Sequence, residues 1–91
     1  PQAAEVVERN HDLGQLRNWL NEAMEGLSER EQYILSQRLL IEDTRTLGSI
    51  GEELGLSKER IRQVEAAALV KLKKLLEKNT GKTAEIMATL M

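Results

Sequence analysis

From Asp12 onward the apolar positions Leu13, Leu16, Leu20, Ala23, Met24 and Leu27 recur at the helical period. They predict a first helix that runs to about Glu25 and is closed by Gly26. A sharper start signal follows. Ser28-Glu29-Arg30-Glu31 has the form of a capping box, in which Ser28 caps the backbone N–H near Glu31 while Glu31 reaches back. Ile34, Leu35 and Leu39 then make the buried stripe of a second helix. The chain leaves it through a short polar connection, Ile41-Glu42-Asp43-Thr44-Arg45. Thr46 suits the N-cap of a brief third helix with Leu47, Ile50 and Leu54 inward. Gly48 and Gly51 in its interior cost about 1 kcal/mol each against Ala, so close approach of another helix is expected there.

Gly55 ends the third helix as a left-handed residue, Leu56 bridges the turn, and Ser57 caps a fourth helix. Ile61, Val64, Ala68, Leu72 and Leu75 fall on one stripe of it, widened by Leu69 and Leu76. The run Ala66–Ala68 again allows close packing, and Asn79-Thr80-Gly81 is the stop. The tail KTAEIMATLM can form one or two amphipathic turns through Ile86, Met87 and Leu90, although so short a helix is marginal unless it docks. Residues 1–11 carry no lasting apolar period and read as a linker remnant. The organisation expected is therefore linker 1–11, domain 12–79 and tail 80–91. No strand pattern occurs, so the fold class is all-α. Its core should contain Leu27, Leu35, Leu39, Leu47, Ile50, Leu54, Ile61, Val64, Ala68 and Leu72.

Composition changes this picture little. Ninety-one residues, 41% hydrophobic and 31% charged, fit one globular domain. One Trp, one Tyr and no Phe leave too few rings for base stacking to be the main mode of binding. Without Cys there is neither a disulfide framework nor a thiolate zinc site, and a reducing cytoplasm fits. No apolar run reaches membrane-spanning length, and no cofactor is implied. The start at Pro1, with no methionine, suggests a domain cut from a longer protein. Charge matters more. Residues 1–57 hold eleven acids against five bases, whereas residues 58–78 hold seven bases against three acids. The net charge of −2 thus hides a basic end suited to an anionic partner. A solvated basic helix is the plainer explanation of the same charges.

The segment TLGSIGEELGLSKERIRQVEAAAL decides between them. Two helices joined by a short Gly-containing turn form a helix-turn-helix, whose second helix enters the major groove by its N-terminal residues. At 100° per residue, the outward face of that helix is centred on Glu59, Gln63, Ala66 and Val70. Arg62 lies on one flank, Arg60 and Ala67 lie on the other, and Lys58 sits in the first turn. Gln can bond adenine edges, Glu can accept from cytosine N4, and Lys or Arg can reach guanine O6 and N7. An acid among the bases is informative, because Glu59 repels phosphate and adds nothing to a purely electrostatic grip. A helix N-terminus that favours an early Glu for its dipole is the alternative.

These residues carry a resemblance. Leu27 to Leu76 resembles region 4, the C-terminal −35-reading domain, of bacterial sigma factors of the housekeeping and heat-shock kind. LSEREQYIL with Arg38 beyond it, and then the helix-turn-helix with its ERIRQVE core, are the carrying motifs. The connector RLLIEDTRTL and the upstream WLNEAMEGL are more similar to the heat-shock type. The resemblance implies a four-helix, winged-helix-like domain that docks on the flap of the RNA polymerase β subunit and reads the −35 element of double-stranded promoter DNA. It places Lys58, Glu59 and Gln63 at bases, and Arg30, Arg38, Thr46, Leu47 and Arg62 on the DNA backbone, with Arg60, on the opposite flank from Arg62, added to the backbone set. An anti-sigma factor or a transcription activator is a further partner it suggests. Lys58 stands where the family commonly has Arg, which weakens bidentate contact with guanine. Ala67 and Val70 replace basic residues of housekeeping members.

Other readings carry less. Ser28, Thr46, Ser57 and His11 do not assemble a nucleophile, base and orienting group, so no enzyme is expected. Glu42-Asp43 and Glu52-Glu53 are adjacent pairs rather than ligand-spaced and read as solvated faces. Trp19 reads as a partly buried packing residue. A protein-interaction module remains an alternative for the acidic half. A one-component helix-turn-helix regulator is another, and it would need a ligand-binding or dimerisation domain.

Overall fold

The computed structural model describes residues 13–90, and His11, the 1–11 segment and Met91 lie outside the described residues. Helix α1 spans Leu13–Met24, α2 spans Glu29–Leu35 and widens into a π-helical turn over Ser36–Leu40, and α3 spans Leu47–Leu54. Helix α4 spans Lys58–Thr80 and α5 spans Thr83–Leu90. Among the described residues there is no strand, and no helix is long and apolar enough to cross a membrane. The four expected helices are present. The tail is a fifth.

Local chemistry sets the helix starts. Ser28 Oγ accepts from the Glu31 N–H at 3.2 Å while Glu31 Oε1 accepts from the Ser28 N–H at 2.9 Å, completing the capping box. Thr46 Oγ1 accepts from the Ser49 N–H and Ser57 Oγ from the Arg60 N–H, each at 3.0 Å. Gly55, at φ +72°, takes the left-handed conformation that ends α3, and the Leu56 N–H closes the turn on Gly51 O at 2.8 Å.

Two apolar clusters share α4 as their spine. Ile34 of α2, Ile50 of α3 and Ile61 of α4 are completely buried against each other, with Leu47, Leu54, Leu56 and Val64 half-buried around them. This small core fixes the helix-turn-helix. The larger one packs Leu16, Leu20, Ala23 and Met24 of α1 on Leu35 and on Ala68, Leu72 and Leu76 of α4. Ile86 and Met87 of α5 are buried in it as well, and that docking makes the short helix stable. Trp19 is half-buried on the same cluster, as its position on α1 suggested.

Three packing expectations change. Ala66 and Ala67 are exposed, so of the alanine run only Ala68 meets another helix. A Cβ on Gly51 would lie 2.5 Å from Leu56 O, so its own turn, rather than a neighbouring helix, requires the glycine. At Gly48 an added Cβ meets nothing within 4 Å.

Candidate nucleic-acid interface

The first two turns of α4 follow a simple division. Ile61 is completely buried and anchors the helix, while Lys58, Glu59, Arg60, Arg62 and Gln63 are all exposed around it. Ser57 supplies the cap, so the leading end holds its conformation without using any of these side chains. Glu59 and Arg62 grip each other: Arg62 Nε donates to Glu59 Oε1 at 2.8 Å and Nη2 to Oε2 at 2.5 Å. Arg62 is the first cause of the lowered Glu59 carboxyl pKa, and Glu59 raises that of the guanidinium in turn. Both groups are therefore charged at neutral pH. Each carboxylate oxygen keeps lone-pair capacity for a second donor, so the pair does not prevent Glu59 from accepting a base amino group.

The expected backbone contacts divide into two groups. Arg30, in the first turn of α2, is exposed, and Thr46, the N-cap of α3, is exposed beside its own backbone. Leu47 turns its side chain into the helix-turn-helix core, which leaves its main chain as the part a phosphate could meet. Arg38 is committed to protein in this state. Its Nε donates to Glu65 Oε2 at 2.7 Å and its Nη1 to Arg45 O at 2.9 Å. The structure thus gathers the α4 set on one exposed end and uses Arg38 to hold α2 against α4.

In the sequence Arg45 stands only as part of a polar connection. Its guanidinium bonds Ser49, Glu53, Tyr33 and Gln37, which joins α3 to α2. A lone Arg in a loop gives no periodic signal. Its spacing of four and eight residues from Ser49 and Glu53 on one helix face was the available clue. Lys71 is also committed, with Nζ 2.9 Å from Glu31 Oε2. Among the described residues no cluster of His, Cys, Asp and Glu could hold a metal ion.

The α1–α2 side is shaped differently. A groove of about 370 Å³ runs between α1, the π-helical turn and α5, and is lined by Leu16, Leu20, Leu39, Leu40 and Ile86 among others. Leu40, which lines it, and the following Ile41 are exposed large apolar side chains.

The sequence profile of "Sigma-70, region 4" matches residues 23–74. Among curated proteins, RNA polymerase sigma factor RpoH of Caulobacter vibrioides is 44% identical over 57 residues, 63% of this chain and 19% of the relative. RpoH of Zymomonas mobilis is 40% identical over 62 residues, 68% of this chain and 20% of its own length. RNA polymerase sigma factor SigA of a Bacillus species is 43% identical over 60 residues, 64% of this chain and 16% of that protein. The chain thus spans about a fifth or less of the length of these relatives. No solved structure matches. The matched segment runs from the end of α1 through the capping box, the helix-turn-helix and most of α4, over half of the sequence, and the chain belongs to the sigma-70 region 4 family, where it is RpoH-like.

Proposed function

We propose that this chain is the promoter-recognition domain of an RNA polymerase sigma factor, acting in the cytoplasm. In this reading α4 enters the major groove of a −35 element while the α1–α2 side docks on the polymerase β flap. The exposed first two turns of α4, held by a buried Ile61 and a Ser57 cap, carry it. Lys58, Glu59 and Gln63 read base edges there. Arg60 and Arg62 flank them toward phosphates, and Arg30, Thr46 and the Leu47 main chain meet the DNA backbone from α2 and α3. Arg38 joins them only by exchanging part of its grip on Glu65 and Arg45 O for a phosphate. The groove floored by Leu16, Leu20, Leu39, Leu40 and Ile86 and edged by Arg17, Asn21 and Thr89, with exposed Ile41 next along the chain from Leu40, supports docking of an amphipathic helix by its apolar face.

The test is a titration of the domain against a −35 duplex and a scrambled duplex at two salt concentrations. Affinity for both should fall with salt, while the preference for the −35 sequence persists. Equal binding to the two duplexes would overturn base reading. Binding of a β-flap peptide, lost on Leu40→Asp, tests the docking side separately.

A further inference from the structure

Helix α3 is a weak helix by composition. It has eight residues, two of them glycines, and no packing at Gly48 that a side chain would disturb. Yet the start of this helix must hold its place for Thr46 and Leu47 to meet a phosphate. Arg45 stands immediately before it and is held by backbone and side chain alike. Its N–H donates to Gln37 O at 3.1 Å, and its carbonyl accepts from Arg38 Nη1 at 2.9 Å. Its guanidinium then runs along one face of α3. Nη2 donates to Ser49 Oγ at 3.0 Å and to Ser49 O at 3.2 Å, and Nη1 donates to Glu53 Oε1 at 2.5 Å. The same Nη1 lies 2.8 Å from Tyr33 Oη, which itself donates to Glu53 Oε1. Arg45 therefore ties two successive turns of α3 to α2 through a single planar group.

The geometry points to Arg45 as a positioning residue for DNA reading: a staple that fixes α3 on α2, and so fixes the phosphate-meeting end of α3 relative to α4. The inference rests on the reading proposed above. Every side-chain hydrogen bond of Arg45 goes to one of four protein residues, Ser49, Glu53, Tyr33 and Gln37, so its charge is committed to protein rather than offered to DNA. Hydrogen bonding from Tyr33 and then Arg45 lowers the Glu53 carboxyl pKa, and Glu53 raises that of the phenol, so the network joins a charged pair to a neutral tyrosine. Were Arg45 a phosphate ligand instead, Glu53 would compete with DNA for it. The two roles thus predict opposite signs for Glu53→Gln.

Two measurements decide. The first is amide hydrogen exchange of the free domain, comparing wild type with Arg45→Met and Glu53→Gln. Exchange should quicken in α3 in both variants, with α1 and the second half of α4 unchanged. Unchanged α3 protection overturns the staple, whatever the DNA does. The second is the preference for a −35 duplex over a scrambled one. It should fall about fivefold in each variant, the scale of one ordinary hydrogen bond. The double variant should be no worse than either single one, and the salt slope should stay the same. A rise in affinity for both duplexes with Glu53→Gln, or a salt slope lowered by about one in Arg45→Met, would make Arg45 a phosphate ligand and overturn the proposal. If wild type shows no sequence preference, base reading fails, and the exchange measurement still decides the staple.

Discussion

Glu59 and Arg62 sit three residues apart on the exposed end of α4 and neutralise each other in the free domain. That pairing sharpens what each substitution should do. Glu59→Ala removes a base acceptor and also releases Arg62, so binding to random duplex should strengthen while discrimination at one position falls by about 1–3 kcal/mol. Gln63→Ala should cost a similar discrimination at another position and leave random binding unchanged. Arg62→Ala should weaken all sequences alike and lower the salt slope by about one. Titrations on single-substituted duplexes separate these outcomes. If Arg62→Ala altered base preference while Gln63→Ala weakened every duplex equally, the two roles would be reversed. At this scale the sequence was legible for α4, because a helix places each side chain by angle once Ile61 is known to be inward. It was not legible for Arg38 and Arg45, whose partners Glu65, Tyr33 and Glu53 are brought to them by tertiary packing.

Helix α3 shows how far propensity and packing can diverge within one element. Gly48 and Gly51 look alike in the sequence, and both are helical. At Gly51 a methyl group would press on the backbone oxygen of Leu56 at 2.5 Å, in a turn that Gly55 and the Leu56 N–H already hold tight. At Gly48 it would enter open space. Gly51→Ala should therefore destabilise the domain by about 1–3 kcal/mol through overpacking, whereas Gly48→Ala should stabilise it by up to about 1 kcal/mol. Thermal melts resolve both, since a domain of this size shifts by roughly 4–8 °C per kcal/mol. Equal shifts in the two variants would refute the contrast. The caps and the turn were readable because Ser28, Thr46, Gly55 and Ser57 act on their own backbone neighbours. The π-helical turn at Ser36–Leu40 was not, because no residue in SQRLL marks a widened turn by type; in the structure Gln37 O accepts from the Arg45 N–H at 3.1 Å, from the connection that follows.

Across the whole molecule, the ties between distant elements decide stability. Glu31 is the one buried charged residue among those described, and it closes the α2 cap while pairing with Lys71 of α4. The Ser28 N–H first, and then Lys71, hold its carboxyl below the ordinary carboxylate range. A group lowered in this way contributes stability that is complete above that range and is lost as pH falls through its folded value. Thermal melts followed into acid should therefore show a falling limb that Glu31→Gln flattens, at the expense of a lower Tm at neutral pH. An acid limb unchanged by Glu31→Gln would assign the loss to other carboxylates. Helix α5 raises the same question for hydrophobic ties. From sequence it was a tail whose helicity depended on docking, and no local signal could show that the larger core has room for it. The structure buries Ile86 and Met87 with Leu16 and Leu20 of α1 and Leu76 of α4, and Thr83 Oγ1 donates to Glu77 Oε1 at 2.8 Å across the Gly81 turn. Ile86 is 1% exposed, so Ile86→Ala leaves a cavity among α1, α4 and α5 and should cost about 2–5 kcal/mol. If α5 belongs to the cooperative unit, a single transition should move to lower temperature, and helical circular dichroism and Trp19 fluorescence should report it together, because Trp19 packs on the same cluster. A melt in which helicity falls slightly in an early separate step, with the Trp19 transition unmoved, would make α5 an appendage rather than part of the core.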